Sequence, residues 1–239
     1  MQRRGPQERR TGRLVHALRA ALPLAALGLV LAGCNDGKAP PQNVATPTPL
    51  ASYDGAGAAV QRISFCTRIP TTAVAAAVDK VGSTRHYANG EQAPDTGDIA
   101  HEYGCIFDGE TGVTAKAWVF APPVSPDDAK RLVAEGGKAR GCQPVDAHKF
   151  GSPALGTLCR TPTTNTVTYS GLFGDAWLSC SITAPAAARP ASATPTGTTP
   201  TSSPSDTPTD TPTDKALTDQ ELTGRAGAWC VQVATTAAS

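Results

Sequence analysis

The sequence predicts an α+β fold: an antiparallel sheet of hairpins with packed helices, held by three disulfides. Three observations predict it. Two stretches of period-two alternation, each broken by a Gly-containing turn, are each followed by a stretch of helical periodicity. Six of the seven cysteines remain, an even number, once one is assigned to an N-terminal export signal. Finally, Pro-rich polar stretches set the folded part off as residues 58–184 plus 215–236.

The elements follow in order. Residues 71–81 read as a helix, with Val74, Val78 and Val81 on one face and Gly82 at the stop. Residues 83–98 are polar and turn-rich, which predicts a loop. Residues 102–108 alternate, with Tyr103, Cys105 and Phe107 on one side, and residues 113–121 complete a hairpin across Gly109 and Gly112. Pro122 and Pro123 end that strand. Ser125-Pro126-Asp127-Asp128 starts a helix with a cap, a proline at its first position and acids in its first turn. Ala129, Leu132 and Val133 form its apolar face, and Gly136-Gly137 ends it. Residues 142–159 read as a loop, because Pro144, Gly151, Pro153 and Gly156 interrupt them. Residues 167–173 and 176–184 flank Gly174-Asp175, a favoured two-residue hairpin turn. Thr218 and Glu221 form a capping box, and Leu222, Ala226, Cys230 and Val233 follow on one helix face. The hairpin-then-helix order occurs twice, which raises a β-β-α duplication.

Six cysteines allow 15 pairings. Cys180 shares a strand face with Leu178 and Ile182, and Cys230 lies on the apolar face of the last helix, which predicts Cys180–Cys230. Cys66 precedes the first helix and Cys105 lies on the aromatic strand face, which predicts Cys66–Cys105. Cys142 and Cys159 flank the loop between them, which predicts Cys142–Cys159. No two cysteines have C-x-x-C spacing, which argues against a zinc or thioredoxin-like motif.

The N-terminus carries the export signal. Six arginines precede an uncharged run of 14 residues, 20–33. That is short of the roughly 20 residues a membrane span needs and matches a signal-peptide apolar region. It ends in Leu31-Ala32-Gly33-Cys34, which resembles the bacterial lipobox L-[AS]-[GA]-C at all four positions. Residues 1–33 are therefore expected to be removed, and Cys34 to carry the lipid (palmitate among its acyl chains) that holds the chain to the outer face of the cell membrane. Arg9-Arg10 leaves Sec and Tat export both open.

Residues 34–57 are expected to be a disordered tether, with a flexible reach of roughly 25–30 Å. Residues 185–214 are Ala, Pro, Thr and Ser with a short Asp-Thr-Pro-Thr repeat, expected to be a disordered insert open to O-glycosylation. The repeat lacks the converging oxygens and sharp Gly turn of a calcium loop. The first 33 residues hold 6 of 21 basic and 1 of 20 acidic residues, so the remainder has 15 and 19, a balance of −4. That balance argues against a nucleic-acid partner. Arg outnumbers Lys two to one, Ala is abundant and Met occurs once, a GC-rich bias that suggests an actinobacterium.

The pattern is similar to actinobacterial, Streptomyces-like secreted lipoproteins of unknown function. The residues that carry the resemblance are Phe65-Cys66-Thr67-Arg68-Ile69-Pro70, Glu102-Tyr103-Gly104-Cys105 and Trp229-Cys230. The resemblance implies a disulfide-braced α+β domain and no particular activity.

For chemistry, the chain lacks H-E-x-x-H, G-x-S-x-G, S-x-x-K and a phosphate-cradling glycine loop. His86, His101 and His148 are scattered, without ligand spacing, so neither a metal nor a cofactor is expected. His101-Glu102 is read as an exposed strand start, with an acid–base pair as the alternative. Trp118 and Phe120 share a strand face opposite Ala115, Ala117 and Val119, and Trp177 lies opposite Leu178. Two readings stand: a sheet covered by helices on both sides, or an aromatic patch of Trp118, Phe120 and Trp177 that binds a ligand. The expected function is a non-enzymatic binding or sensory module whose partners are the membrane, through Cys34, and an unidentified envelope protein or ligand. An enzyme with an unrecognised site and a structural envelope protein are the alternatives.

Overall fold

A computed structural model describes residues 47–187 and 216–239. In chain order the elements are α1 (Thr71–Val78), β1 (Val81–Tyr87), β2 (Glu102–Gly109), β3 (Thr114–Phe120), α2 (Pro126–Gly136), β4 (Cys142–Val145), β5 (Ala154–Arg160), β6 (Thr164–Phe173), β7 (Ala176–Pro185) and α3 (Asp219–Ala238). The strands form one seven-stranded sheet in the order β1-β2-β3-β7-β6-β5-β4, antiparallel throughout. The α+β class and all three disulfides stand as expected.

Two faces follow from the period of two. Ala115, Ala117 and Val119 of β3 and Leu178, Cys180 and Ile182 of β7 point to an inner face covered by α1 and α3. There Leu222, Ala226, Trp229, Cys230 and Val233 of α3 complete the core, each at most 2% exposed. The Trp229 indole N–H donates to the Lys116 carbonyl at 3.1 Å, which satisfies its buried polar end. The opposite, outer face carries Trp118, Trp177 and Leu172, and α2 covers that end of it with Ala129, Leu132 and Val133. The repeated order β2-β3-α2 and β6-β7-α3 is present. However, α2 and α3 lie on opposite faces, so no two-fold axis relates the halves.

The local signals act where expected. Ser125 Oγ accepts from the Asp128 amide at 3.1 Å, capping α2. Thr218 and Glu221 form both halves of the α3 capping box. Gly174 has φ +68° at the first position of the β6–β7 turn, which a type II′ hairpin requires.

Three expectations are corrected. α1 ends at Val78 rather than at residue 81, with Asp79 at φ 62° turning the chain into β1. Residues 83–98 are not all loop, because Val81–Tyr87 pairs with β2 as an edge strand. Its side chains are mostly exposed, so no apolar alternation marked it. Residues 142–159 likewise hold β4 and β5, with Cys142 directly opposite Cys159 and Cα atoms 3.9 Å apart.

The expected tether end at Gly57 also moves. Leu50 and Tyr53 pack on the core, and the Gly55 amide donates to the Lys149 carbonyl at 3.0 Å. A Cβ on Gly55 would lie 2.8 Å from the Gly151 amide, so glycine permits that approach. Residues 34–46 of the tether, the signal with Leu31, Ala32, Gly33 and Cys34, and residues 188–214 of the insert lie outside the described residues.

Candidate functional site

The sequence-selected aromatics converge. Trp118, Phe120 and Trp177 join one cluster with Val124, Ala129 and Leu172. Trp177 is only 3% exposed, because α2 lies across it. It is a core residue, as the reading of a sheet covered on both sides has it, and the alternative aromatic patch loses that member. Trp118 and Phe120 stay half-buried, their ring centroids 4.9 Å apart.

Phe120 opens into a groove of about 580 Å³ between α2 and the end of β3. Pro122, Pro123, Val124 and Leu132 make its apolar wall, and His101, Arg131 and Glu135 line its rim. On α2 the groove residues Asp128, Arg131, Leu132 and Glu135 follow helical spacing, so one helix face supplies them. The hydrogen bond from Ser125, followed by the Arg131 charge, holds the Asp128 carboxyl below its usual range. Asp128 is thus committed to capping and pairing, which leaves this groove without a free acid at that position.

At the start of β2, the alternative acid–base pair of His101 and Glu102 does not assemble. His101 is exposed, and Glu102 instead accepts from the Tyr87 hydroxyl at 3.3 Å. Burial first, and then Glu102, raise the Tyr87 pKa. His148 Nδ1 lies 2.5 Å from Asp146 Oδ1 on the surface. Both line a second groove of about 250 Å³, beside Leu50, Tyr169 and Gly227. Burial, with Asp146 adding to it, pushes the Tyr169 pKa up to about 12, so that phenol stays protonated and neutral at ordinary pH. Among the described residues, no three His, Cys, Asp or Glu side chains are grouped to hold a metal ion. Also among them, no helix is long and apolar enough to cross a membrane.

The pattern-based reading missed the centre of the outer face. Across β3, β7, β6 and β5, Lys116, Ser181, Thr168 and Thr157 stand directly opposite one another. The signal was present for β7, where Ser179, Ser181 and Thr183 alternate with core residues. It was absent for β5, which read as loop.

Neither a family model nor a curated protein matches the chain. Among solved structures, a GTP binding regulator from Thermotoga maritima overlays part of it at 9% identity and a TM-score of 0.25, over 42% of this chain and 64% of that one. So shallow an overlay carries no argument about this chain.

Proposed function

We propose that the chain belongs to the class of exported, lipid-anchored envelope proteins, with Cys34 as the acylated residue. Within that class, it acts as a non-enzymatic binding module held outside the membrane.

One observation carries the anchoring part. All six cysteines of the folded domain are paired within it, which leaves Cys34 as the odd thiol, at the fourth position of a lipobox-like sequence. Three structural disulfides also suit an oxidising compartment. The binding part is supported by the groove beside Phe120, whose apolar wall and few polar rim groups match the usual make-up of a ligand site.

Metabolic labelling with an alkyne fatty acid tests the anchor. The wild-type chain takes the label and fractionates with membranes, and Cys34→Ala does neither. A Cys34→Ala form that stays labelled and membrane-bound refutes it. In-cell cross-linking with mass spectrometry tests the module. A specific partner that is lost on Leu132→Asp supports it, and cross-links to bulk envelope proteins alone count against it.

A further inference from the structure

The outer sheet face beyond α2 presents a polar row that joins the groove through the Trp118–Phe120 ring pair. Lys116, Ser181, Thr168 and Thr157 form it, one residue from each of four neighbouring strands. Adjacent strands are about 4.8 Å apart, so the row has a near-regular pitch. In the flanking rows the hydroxyls satisfy each other: Ser170 with Ser179 at 2.8 Å, and Thr166 with Thr183 at 2.9 Å. The hydroxyls of Ser181, Thr168 and Thr157 have no hydrogen-bond partner among the described residues.

Thr157 points to a ligand most directly. It is 9% exposed, the most enclosed of the three, and its hydroxyl has no protein partner among the described residues yet is not sealed off, so the oxygen is open to a hydrogen bond from outside the fold. Its neighbour Leu158 is 2% exposed and belongs to the inner core, so Thr157 aims into the outer face. Further along the same row on β1, opposite Ile106, Arg85 holds a buried Nε that also lacks a partner.

Charge decides the ligand class. Lys116 is paired with Asp95, and Arg85 with Asp108 at 2.6 Å, so these four groups present no net charge. Burial raises the Asp95 pKa, but the hydrogen bond and charge of Lys116 outweigh it, and the carboxylate stays ionised. Paired cations do not call for an anion, and hydroxyls both donate and accept. The half-buried Trp118 beside the row supplies an apolar ring face. Uncharged, hydroxyl-dense and apolar on its ring faces describes a sugar chain.

We infer that the outer face across β3, β7, β6 and β5 binds an uncharged oligosaccharide, with Ser181, Thr168 and Thr157 as hydrogen-bonding residues and Trp118 as the stacking ring. This rests on the binding-module reading above and names its ligand class.

The test uses the full chain with its disulfides formed and Cys34→Ser to keep it in solution. It is titrated with chitohexaose, cellohexaose and maltohexaose, followed by NMR and by tryptophan fluorescence, while chromatography monitors the sugar. At least one oligosaccharide binds saturably, and the affinity is insensitive to salt. Thr168→Val and Ser181→Ala each weaken it about three- to tenfold, as loss of one neutral hydrogen bond implies, without changing the melting temperature. Thr235→Val, on the exposed side of α3, leaves affinity unchanged. Failure of all three oligosaccharides to bind, a steep loss of affinity with salt, or binding that survives both substitutions overturns the inference. Cleavage of the bound sugar keeps the site and overturns the non-enzymatic reading beneath it.

Discussion

Replacing Cys180 and Cys230 together by alanine removes the bond that ties α3 to β7. It closes a loop of 50 residues. By chain entropy alone, constraining the unfolded chain over that length stabilises the fold by about 4 kcal/mol. The bond between β4 and β5, Cys142–Cys159, closes only 17 residues, for which the same relation gives about 3 kcal/mol. Burial widens the gap. Cys180 and Cys230 are 1% and 0% exposed, so alanine leaves voids under α3, whereas Cys142 and Cys159 are half-buried. The two double variants are compared with wild type by urea unfolding, followed by circular dichroism. With a slope of about 2 kcal/mol per molar, the midpoint falls by about 2 M for Cys180→Ala/Cys230→Ala and by about 1.5 M for Cys142→Ala/Cys159→Ala. A reversed order, or a loss below about 1 kcal/mol for the longer loop, refutes both the entropic account and the role assigned to α3.

Three further expectations follow from particular contacts. Gly104→Ala places a Cβ 2.2 Å from the Tyr87 ring, which lies over the glycine; the overpacking costs about 1–3 kcal/mol, and an unchanged melting temperature counts against the ring placement. Trp177→Ala opens a cavity under α2 and costs about 3–5 kcal/mol, while Trp118→Ala, at the half-buried edge of that cluster, costs less; equal losses by thermal unfolding contradict the burial difference. Burial raises the Asp108 pKa, but hydrogen bonds from Ser83, Arg85 and Thr114 outweigh it and hold the value below 3.8. Because that folded value is depressed, its contribution is present above the unfolded pKa and is lost as pH falls below about 4. Stability of Asp108→Asn should therefore vary less with pH than wild type between pH 5 and pH 2, and parallel curves refute the assignment.

How much could be read from residues alone differs element by element. β2, β3, β6 and β7 were legible because each buries one full side chain row, and that writes period two into the chain. α2 and α3 were legible from their caps as much as from their apolar faces. β1 and β4 were not, because they are the two edges of the sheet. An edge strand is selected for backbone pairing and for resisting further pairing, not for apolar alternation. β1 is mostly exposed and carries a register shift between Val81 and Ser83, and β4 is four residues long with Pro144 inside it. β5 shows a different failure: Gly156 and Pro153 read as breakers. In the structure a Cβ on Gly156 would lie 2.6 Å from the Val145 carbonyl, so the glycine admits β4 rather than ending β5.

The same failure hid the candidate site. A row across a sheet exists only once its strands are in register, and no single strand contains it. Ser181 and Thr168 come from strands that were recognised, but Thr157 had no place to stand while residues 142–159 were a loop. With β5 in position, the outer face divides. Under α2 it is apolar, through Trp177 and Leu172; beyond α2 it is hydroxyl-rich, through Ser181, Thr168 and Thr157. The sequence left two readings of the first part, a sheet covered by helices on both sides or an aromatic patch, and the covered sheet holds at Trp177, which lies under α2. Trp118 is the residue at the division, and so one ring belongs both to the α2 cluster and to the polar row. A substitution there perturbs stability and binding together. Thr168→Val and Ser181→Ala, which remove hydroxyls without opening the core, separate the two where Trp118→Ala cannot.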